Sequence, residues 1–395
     1  MGKVAQRLNG IVVIDKPEGI ASYDVVRRLK GLISGEKVGF LGTLDPLATG
    51  VLPLLLGEGT KLAPFLEAGR KVYEASLLLG VVTDTQDREG QVLHSVDLGA
   101  YDLSPSKIEE VIKRFRGRIM QRPPMFSALK LKGEPLYKLA RRGEEAERPL
   151  REVEIYELQV TGIDLPLLGL YVECSKGTYI RTLGHDIGGE LGCGASMAAL
   201  RRTRSGPFAL DAALPLTEVE VLLRQRRLKQ HLIPLAQAMD FLPVMEVGEA
   251  AAHEISHGQV LPVERVDQGI QLGGRQKAPQ VPPVAQQHLP PGGTPSSAEI
   301  ILRCGADNQF SIQKRAGHFN KNMVVGMPHS GRGLKEGEVV RVVTRKGGGL
   351  VAVAEVRQDA GGLVLKPLRV FHDAFTKRPP YGKNKDSRMI DQGGR

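Results

Sequence analysis

Strand and helix signals follow one another irregularly along the first 240 residues, and that irregularity restricts the fold more than any other feature. Residues 10–15 (GIVVID) read as a short buried strand, closed by the turn-like Lys16-Pro17-Glu18-Gly19. From Ser22, the expected N-cap, Val25, Val26, Leu29 and Ile33 recur at helical spacing. Residues 71–80 and 151–163 read as strands, the second alternating through Val153, Ile155 and Val160. Between them, Ser106-x-x-Glu109 has the form of a capping box for a helix with Ile108, Val111, Ile112 and Phe115 on one face. A strand at 168–175 leads through a glycine turn into a helix carrying Ile180, Leu183, Ile187 and Leu191, and Thr217-x-x-Glu220 opens another helix. A doubly wound fold needs regular βα alternation. The pattern instead predicts α+β, with a mixed, largely antiparallel sheet and flanking helices.

Near residue 240 the pattern changes. Short strand candidates follow at 243–247, 258–263, 299–303, 338–344 and 350–356, punctuated by Gly and Pro. They predict a small β-barrel. The expected division is a first domain over 1–240 and a second over 241–375, which suits a chain of 395 residues. Residues 266–296, rich in Pro, Gly and Gln, read as a flexible insertion, and 376–395 as a basic disordered tail. No structure is assigned to 304–335.

The charge points to a polyanionic partner. Lys and Arg number 54 against 44 Asp and Glu, a net +10. Residues 113–142 alone hold ten basic side chains against one acid, Glu134, and interleave Phe115, Phe126, Tyr137 and Pro123-Pro124 among them. Basic groups neutralise phosphates and aromatic faces stack on bases, although a charge run by itself is more often a solvated helix face. Arg201, Arg202 and Arg204 form a second basic cluster. Three cysteines (Cys174, Cys193, Cys304) make no disulfide framework and lack metal-site spacing. The N-terminal segment MGKVAQRLNG has no apolar core of a signal peptide, and no apolar run reaches the ~20 residues of a membrane span. A soluble cytoplasmic protein is expected.

Four stretches could carry chemistry. In Gly39–Pro53, Pro46 biases Asp45 away from helical dihedrals and the glycines permit tight turns, so Asp45 would stand out on a loop. An ordinary Asp-Pro turn reads the same way. Tyr73 lies in a strand and could be simply half-buried there. Cys174-Ser175-Lys176-Gly177-Thr178-Tyr179-Ile180-Arg181 is a strand–turn–helix junction. An Arg in a first helical turn opposes the macrodipole, which calls for a carboxylate or phosphate partner. The fourth stretch, Gly192-Cys193-Gly194-Ala195, leads to Leu200-Arg201-Arg202, where packing alone would account for Leu200.

Together these stretches resemble the TruB-type tRNA pseudouridine synthases. The resemblance covers residues 9–240, with GTLDPLATGVLP, KGTYIRTL and GCGA…LRR in the family's order and spacing, and 123–143 resembling its RNA-gripping insertion. The second domain is similar, more weakly, to a PUA-like RNA-binding barrel. The resemblance implies isomerisation of uridine 55 in the TΨC loop of tRNA, by base flipping and aspartate-mediated glycosidic cleavage, with no metal or other cofactor. It implies that Asp45 attacks C6 of the ring or C1′ of the ribose, that Arg181 pairs with it, and that Tyr73 lies against the uracil as a candidate base. Tyr179 and Leu200 would line the pocket, and Lys16 and Pro17 would support the Asp45 loop. Lys130, Lys132, Arg141, Arg142, Arg201 and Arg202 would contact the RNA backbone.

The chain departs from the family at Phe40, where histidine is usual. An aromatic plane survives there and a hydrogen-bonding edge is lost. The partner implied is the tRNA T-arm, with no membrane, no obligate protein partner and a monomeric enzyme. Two alternatives remain: an RNA-folding or RNA-binding protein on the same scaffold, and a guide-RNA-dependent relative acting on ribosomal RNA.

Overall fold

The computed structural model describes residues 7–33, 35–131, 133–265, 310–312, 323–325 and 334–372. They form two compact units: the first runs to Phe241 and also takes in the strands Phe310–Ile312 and Met323–Val325, and the second comprises the other described residues from Leu242 onward. The strand candidate at 299–303, most of 304–335, the 266–296 stretch and the 376–395 tail lie outside the described residues.

The first unit is built on a ten-stranded sheet. Its main path runs Ala213–Pro215, Gly10–Lys16, Thr49–Leu56, Ala195–Ser205, Lys71–Leu79, Leu167–Cys174, Arg151–Asp164, Gly117–Gln121. Only two pairings are parallel: Gly10–Lys16 with Ala213–Pro215, and Thr49–Leu56 with Ala195–Ser205. The sheet is therefore mixed and largely antiparallel, as the irregular element order predicts. Alternation along Leu167–Cys174 sends Leu168, Leu170, Val172 and Cys174 inward. Against that face pack Ile108, Val111 and Ile112 of helix Pro105–Arg114 and Leu183, Ile187 and Leu191 of helix Ile180–Leu191. Val25, Val26 and Leu29 of helix Ser22–Leu32 join the same core.

Three helix starts differ from the sequence reading. Ala21, not Ser22, occupies the N-cap of Ser22–Leu32, because the Ser22 hydroxyl is committed to a loop elsewhere in the chain. Ser104 caps Pro105–Arg114 by accepting from the Lys107 amide, two residues ahead of the expected box. Pro105 at the first helical position, with its fixed φ and missing N–H, favours that earlier start. Helix Leu216–Arg224 follows Pro215 without a side-chain cap, so Thr217 lies inside it.

The second unit holds a five-stranded sheet in the order Val244–Val247, Val339–Thr344, Leu350–Asp359, Gly362–Val370, Leu261–Pro262, with a core of Met245, Val247, Ile255, Val342 and Val353-flanking alanines Ala352 and Ala354. The β-rich, PUA-like expectation holds in kind. Two elements were not anticipated: helix Glu249–Ser256 and strand Gly362–Val370. The strand hides behind Pro367, tolerated because it sits where the register with Leu350–Asp359 shifts. Of the strand expected at 258–263, only Leu261–Pro262 forms. No helix among the described residues is long and apolar enough to cross a membrane.

Candidate active site

Asp45 stands on the loop between strands Val38–Phe40 and Thr49–Leu56, and buried polar groups pin the backbone on both sides of it. The Ser22 hydroxyl accepts from Leu44 N at 2.8 Å and donates to Leu44 O at 2.9 Å. Gly19 N donates to Pro46 O at 2.9 Å. The Lys16 ammonium donates to the carbonyls of Pro17 (2.9 Å), Ile20 (2.6 Å) and Pro46 (3.2 Å). All three of its protons are thus directed at backbone oxygens. Burial pulls the Lys16 pKa down to about 8, against the attraction of Asp45 and Glu18.

Arg202 completes the cradle. Its Nε donates to Val51 O at 2.8 Å and its Nη2 to Gly42 O at 2.9 Å. It is 1% exposed, which corrects the expectation that it contacts RNA: a phosphate cannot reach it. Strand alternation explains the inversion, since Arg201 and Arg202 point to opposite faces. Gly50 lets the chain pass this point. It has φ +98°, and a Cβ there would lie 2.2 Å from Arg202 O.

With the loop so held, the Asp45 side chain remains 37% exposed while its partner Arg181 is only 5% exposed. Arg181 Nε lies 2.8 Å from Asp45 Oδ2. The other guanidinium nitrogens donate to Thr85 O (2.7 Å) and Phe126 O (3.0 Å), and Nη1 also approaches Asp87 Oδ2 at 3.3 Å. The carboxylate that the first-turn arginine called for is therefore present twice. Asp87 was missed by the sequence reading. It is buried, with Oδ1 accepting from Thr85 Oγ1 at 2.6 Å and Glu89 N at 3.1 Å. The acidic, glycine-closed run Asp84-Thr85-Gln86-Asp87-Arg88-Glu89-Gly90 was its only trace in sequence.

Tyr73 is 7% exposed on strand Lys71–Leu79, opposite Val172 on one side and Arg202 on the other. Burial raises its phenol pKa, opposed by the neighbouring Arg202. Tyr179 is the N-cap residue of helix Ile180–Leu191, two residues before Arg181. Burial raises its phenol too, with Ser127 opposing. Leu200 is buried within the main core, and its backbone pairs with Ala75. Phe40 is half-buried, packs against the same core and pairs with Leu54, five residues from Asp45.

The basic groups are less uniform than their sequence run suggests. Lys130 is exposed on a two-residue hairpin strand, and Arg141 ends the short helix Leu136–Arg141 with its guanidinium 5.5 Å from the Tyr137 ring centre. Arg142 is paired with Glu134 at 2.7 Å and Glu144 at 2.6 Å. Arg201 is paired with Asp15 at 2.8 Å. Lys132 lies outside the described residues.

Comparison with known proteins bears on this site. Residues 30–180 match the TruB family pseudouridylate synthase (N terminal domain), and residues 181–240 match the tRNA pseudouridylate synthase B C-terminal domain. The chain is 46% identical to tRNA pseudouridine synthase B of Geobacter sulfurreducens over 266 residues, covering 67% of this chain and 87% of that protein. It is 45% identical to the protein of that name from Pseudomonas aeruginosa over 262 residues, covering 65% and 84%. Among solved structures, a Cbf5-Nop10-Gar1 complex contains a similar chain, with TM-score 0.59, 25% identity and coverage of 93% and 87%. An H/ACA RNP bound to a substrate RNA contains another, with TM-score 0.59 and 24% identity over 92% of this chain and 85% of that one, a likeness of fold.

Proposed function

The chain belongs to the TruB family of pseudouridylate synthases, and on that premise we propose that it isomerises uridine 55 in the TΨC loop of tRNA to pseudouridine. The observation that carries the reading is the 2.8 Å ion pair between a half-exposed Asp45 and a buried Arg181 on a loop whose backbone is fixed at Leu44 and Pro46. That arrangement presents one carboxylate to a substrate while the guanidinium beside it fixes where it points.

The target base must leave its stack, at a cost of a few kcal/mol, to bring its ring and ribose to the Asp45 carboxylate. Asp45 attacks C6 of the uracil or C1′ of the ribose. The C1′–N1 bond breaks, the base rotates, and a C1′–C5 bond forms. A proton then leaves C5 and N1 gains one, so the composition is unchanged. Tyr73 is the candidate for that proton transfer. Because burial raises its pKa it is a phenol at neutral pH, so it can accept the C5 proton only by passing on its own. Tyr179 and Leu200 line the pocket in this reading, and Phe40 supplies an aromatic face. Lys130, Arg141, Arg142 and Arg201, together with Lys132, are assigned to the tRNA backbone. For Arg142 and Arg201 a phosphate has to displace Glu134, Glu144 or Asp15.

The enzyme acts on the T-arm as a monomer in the cytoplasm, without a protein partner or guide RNA. Tritium release from C5-labelled, unmodified tRNA by the lone chain tests this reading. Wild type should turn over, and Asp45→Asn should abolish release while tRNA affinity stays within a few-fold. Turnover by Asp45→Asn near the wild-type rate would refute the nucleophile assignment. A wild-type chain that binds tRNA and releases nothing would instead favour an RNA-folding role.

A further inference from the structure

Strand Gly117–Gln121 is the outer edge of the main sheet, and Gln121 is its only buried residue, at 1% exposure. A buried carboxamide must find partners for both its donor and its acceptor. Gln121 finds them on a single residue 58 positions away. Its Oε1 accepts from Tyr179 N at 2.8 Å and its Nε2 donates to Tyr179 O at 2.9 Å. The amide thus pairs with the Tyr179 peptide groups as a neighbouring strand would.

That peptide is the hinge between strand and helix. Tyr179 has φ −94° and ψ 106°, extended, and its carbonyl also accepts the first helical bond, from Leu183 N at 3.0 Å. Two residues on stands Arg181, whose Nη2 is held by Phe126 O at 3.0 Å. Gln121 and Phe126 therefore brace consecutive parts of the Tyr179–Arg181 segment from one stretch of chain. This stretch is also the root of the basic insertion.

We propose that Gln121 is a positioning residue for the isomerisation: its carboxamide fixes the Tyr179 peptide and so aims Tyr179 and Arg181 at Asp45. The inference rests on the function proposed above. Both carboxamide bonds of Gln121 go to the Tyr179 peptide and neither to Asp45, so its loss should act on the chemical step and leave tRNA binding to the phosphate contacts.

Two substitutions test it by single-turnover isomerisation of unmodified tRNA, alongside thermal unfolding and tRNA affinity. Gln121→Leu removes both bonds, and the rate should fall about 10–100-fold, the scale of a sub-ångström to 1 Å misplacement, with affinity within a few-fold. Gln121→Glu gives a pH readout that loss of packing would not. Its protonated carboxyl has one acceptor and one donor, like the amide, whereas the carboxylate sets an oxygen against Tyr179 O. The ratio of its rate to that of wild type should therefore climb as pH falls from 8 to 5. A Leu variant as fast as wild type, a loss seen only in tRNA affinity, or a flat Glu-to-wild-type ratio across pH would each overturn the proposal. If Gln121→Leu does not fold, the Gln121→Glu profile decides alone. Wild type inactive on tRNA would instead remove the functional reading, an outcome visible before any variant is compared.

Discussion

Replacing Arg202 with Met separates a buried brace from a phosphate contact. Methionine keeps an apolar stem and removes the guanidinium that holds Val51 O at 2.8 Å and Gly42 O at 2.9 Å. Charge-assisted hydrogen bonds contribute about 1.5–3 kcal/mol each, so two amount to roughly 3–6 kcal/mol. Freeing the protein from burying a guanidinium recovers part of that, which leaves a net loss of about 3 kcal/mol. In a unit of this size the melting temperature should drop by roughly 6–12 °C. Both lost carbonyl contacts flank the Asp45 loop, so the single-turnover rate should also fall, by about 10–100-fold. The decisive assay is tRNA affinity as a function of salt. A side chain that neutralises a phosphate contributes about 0.9 to the slope of log affinity against log salt. Arg202→Met should leave that slope unaltered, because the side chain never meets the RNA. A slope reduced by nearly one unit, with stability intact, would refute the brace and restore the sequence expectation.

The second carboxylate on Arg181 gives another test: Asp87→Asn should slow isomerisation about 10-fold or more through the misaimed guanidinium, with tRNA affinity within a few-fold, as read by tritium release and filter binding. Lys16 and Lys71 both have folded pKa values pulled down to about 8 by burial, from an ordinary 10.5. Between these values the unfolded chain binds more protons, so their contribution makes stability rise with pH from about 8 towards 10.5; Lys16→Met should reduce the rise in urea midpoint between pH 7.5 and 9.5, and an unchanged rise would contradict it. Phe40 packs on the core, so Phe40→His should be nearly neutral in rate, whereas Phe40→Ala should lose about 1–3 kcal/mol of stability and slow turnover beyond that loss; an Ala variant of wild-type speed would show that no aromatic face is needed. Charge reversal of Lys130 and Arg141 together should flatten the salt slope of tRNA binding by roughly two units, and an unchanged slope would make them a solvated face.

Residues whose neighbours in sequence decide their environment were readable before folding. Asp45 is one: Pro46 and the glycines around it dictate a loop whatever the rest of the chain does. The strand–turn–helix junction is another, since Gly177 supplies the left-handed turn and Arg181 in the first helical turn demands an anion. The irregular order of elements likewise excluded a doubly wound sheet. What sequence could not decide was which partners a buried polar group would meet across long separations. Gln121 and Tyr179 lie 58 residues apart, Asp87 and Arg181 94, and Arg202 and Val51 151. The adjacent Arg201 and Arg202 show the reason most directly. They are the same residue type and differ only in which face of one strand each occupies. Sheet pairing with Lys71–Leu79 and Thr49–Leu56 sends one toward Asp15 and seals the other beneath the Asp45 loop. Alternation along a strand is local and can be read from the chain, but which side becomes interior is set only when the sheet packs, because burial is a property of the assembled layers.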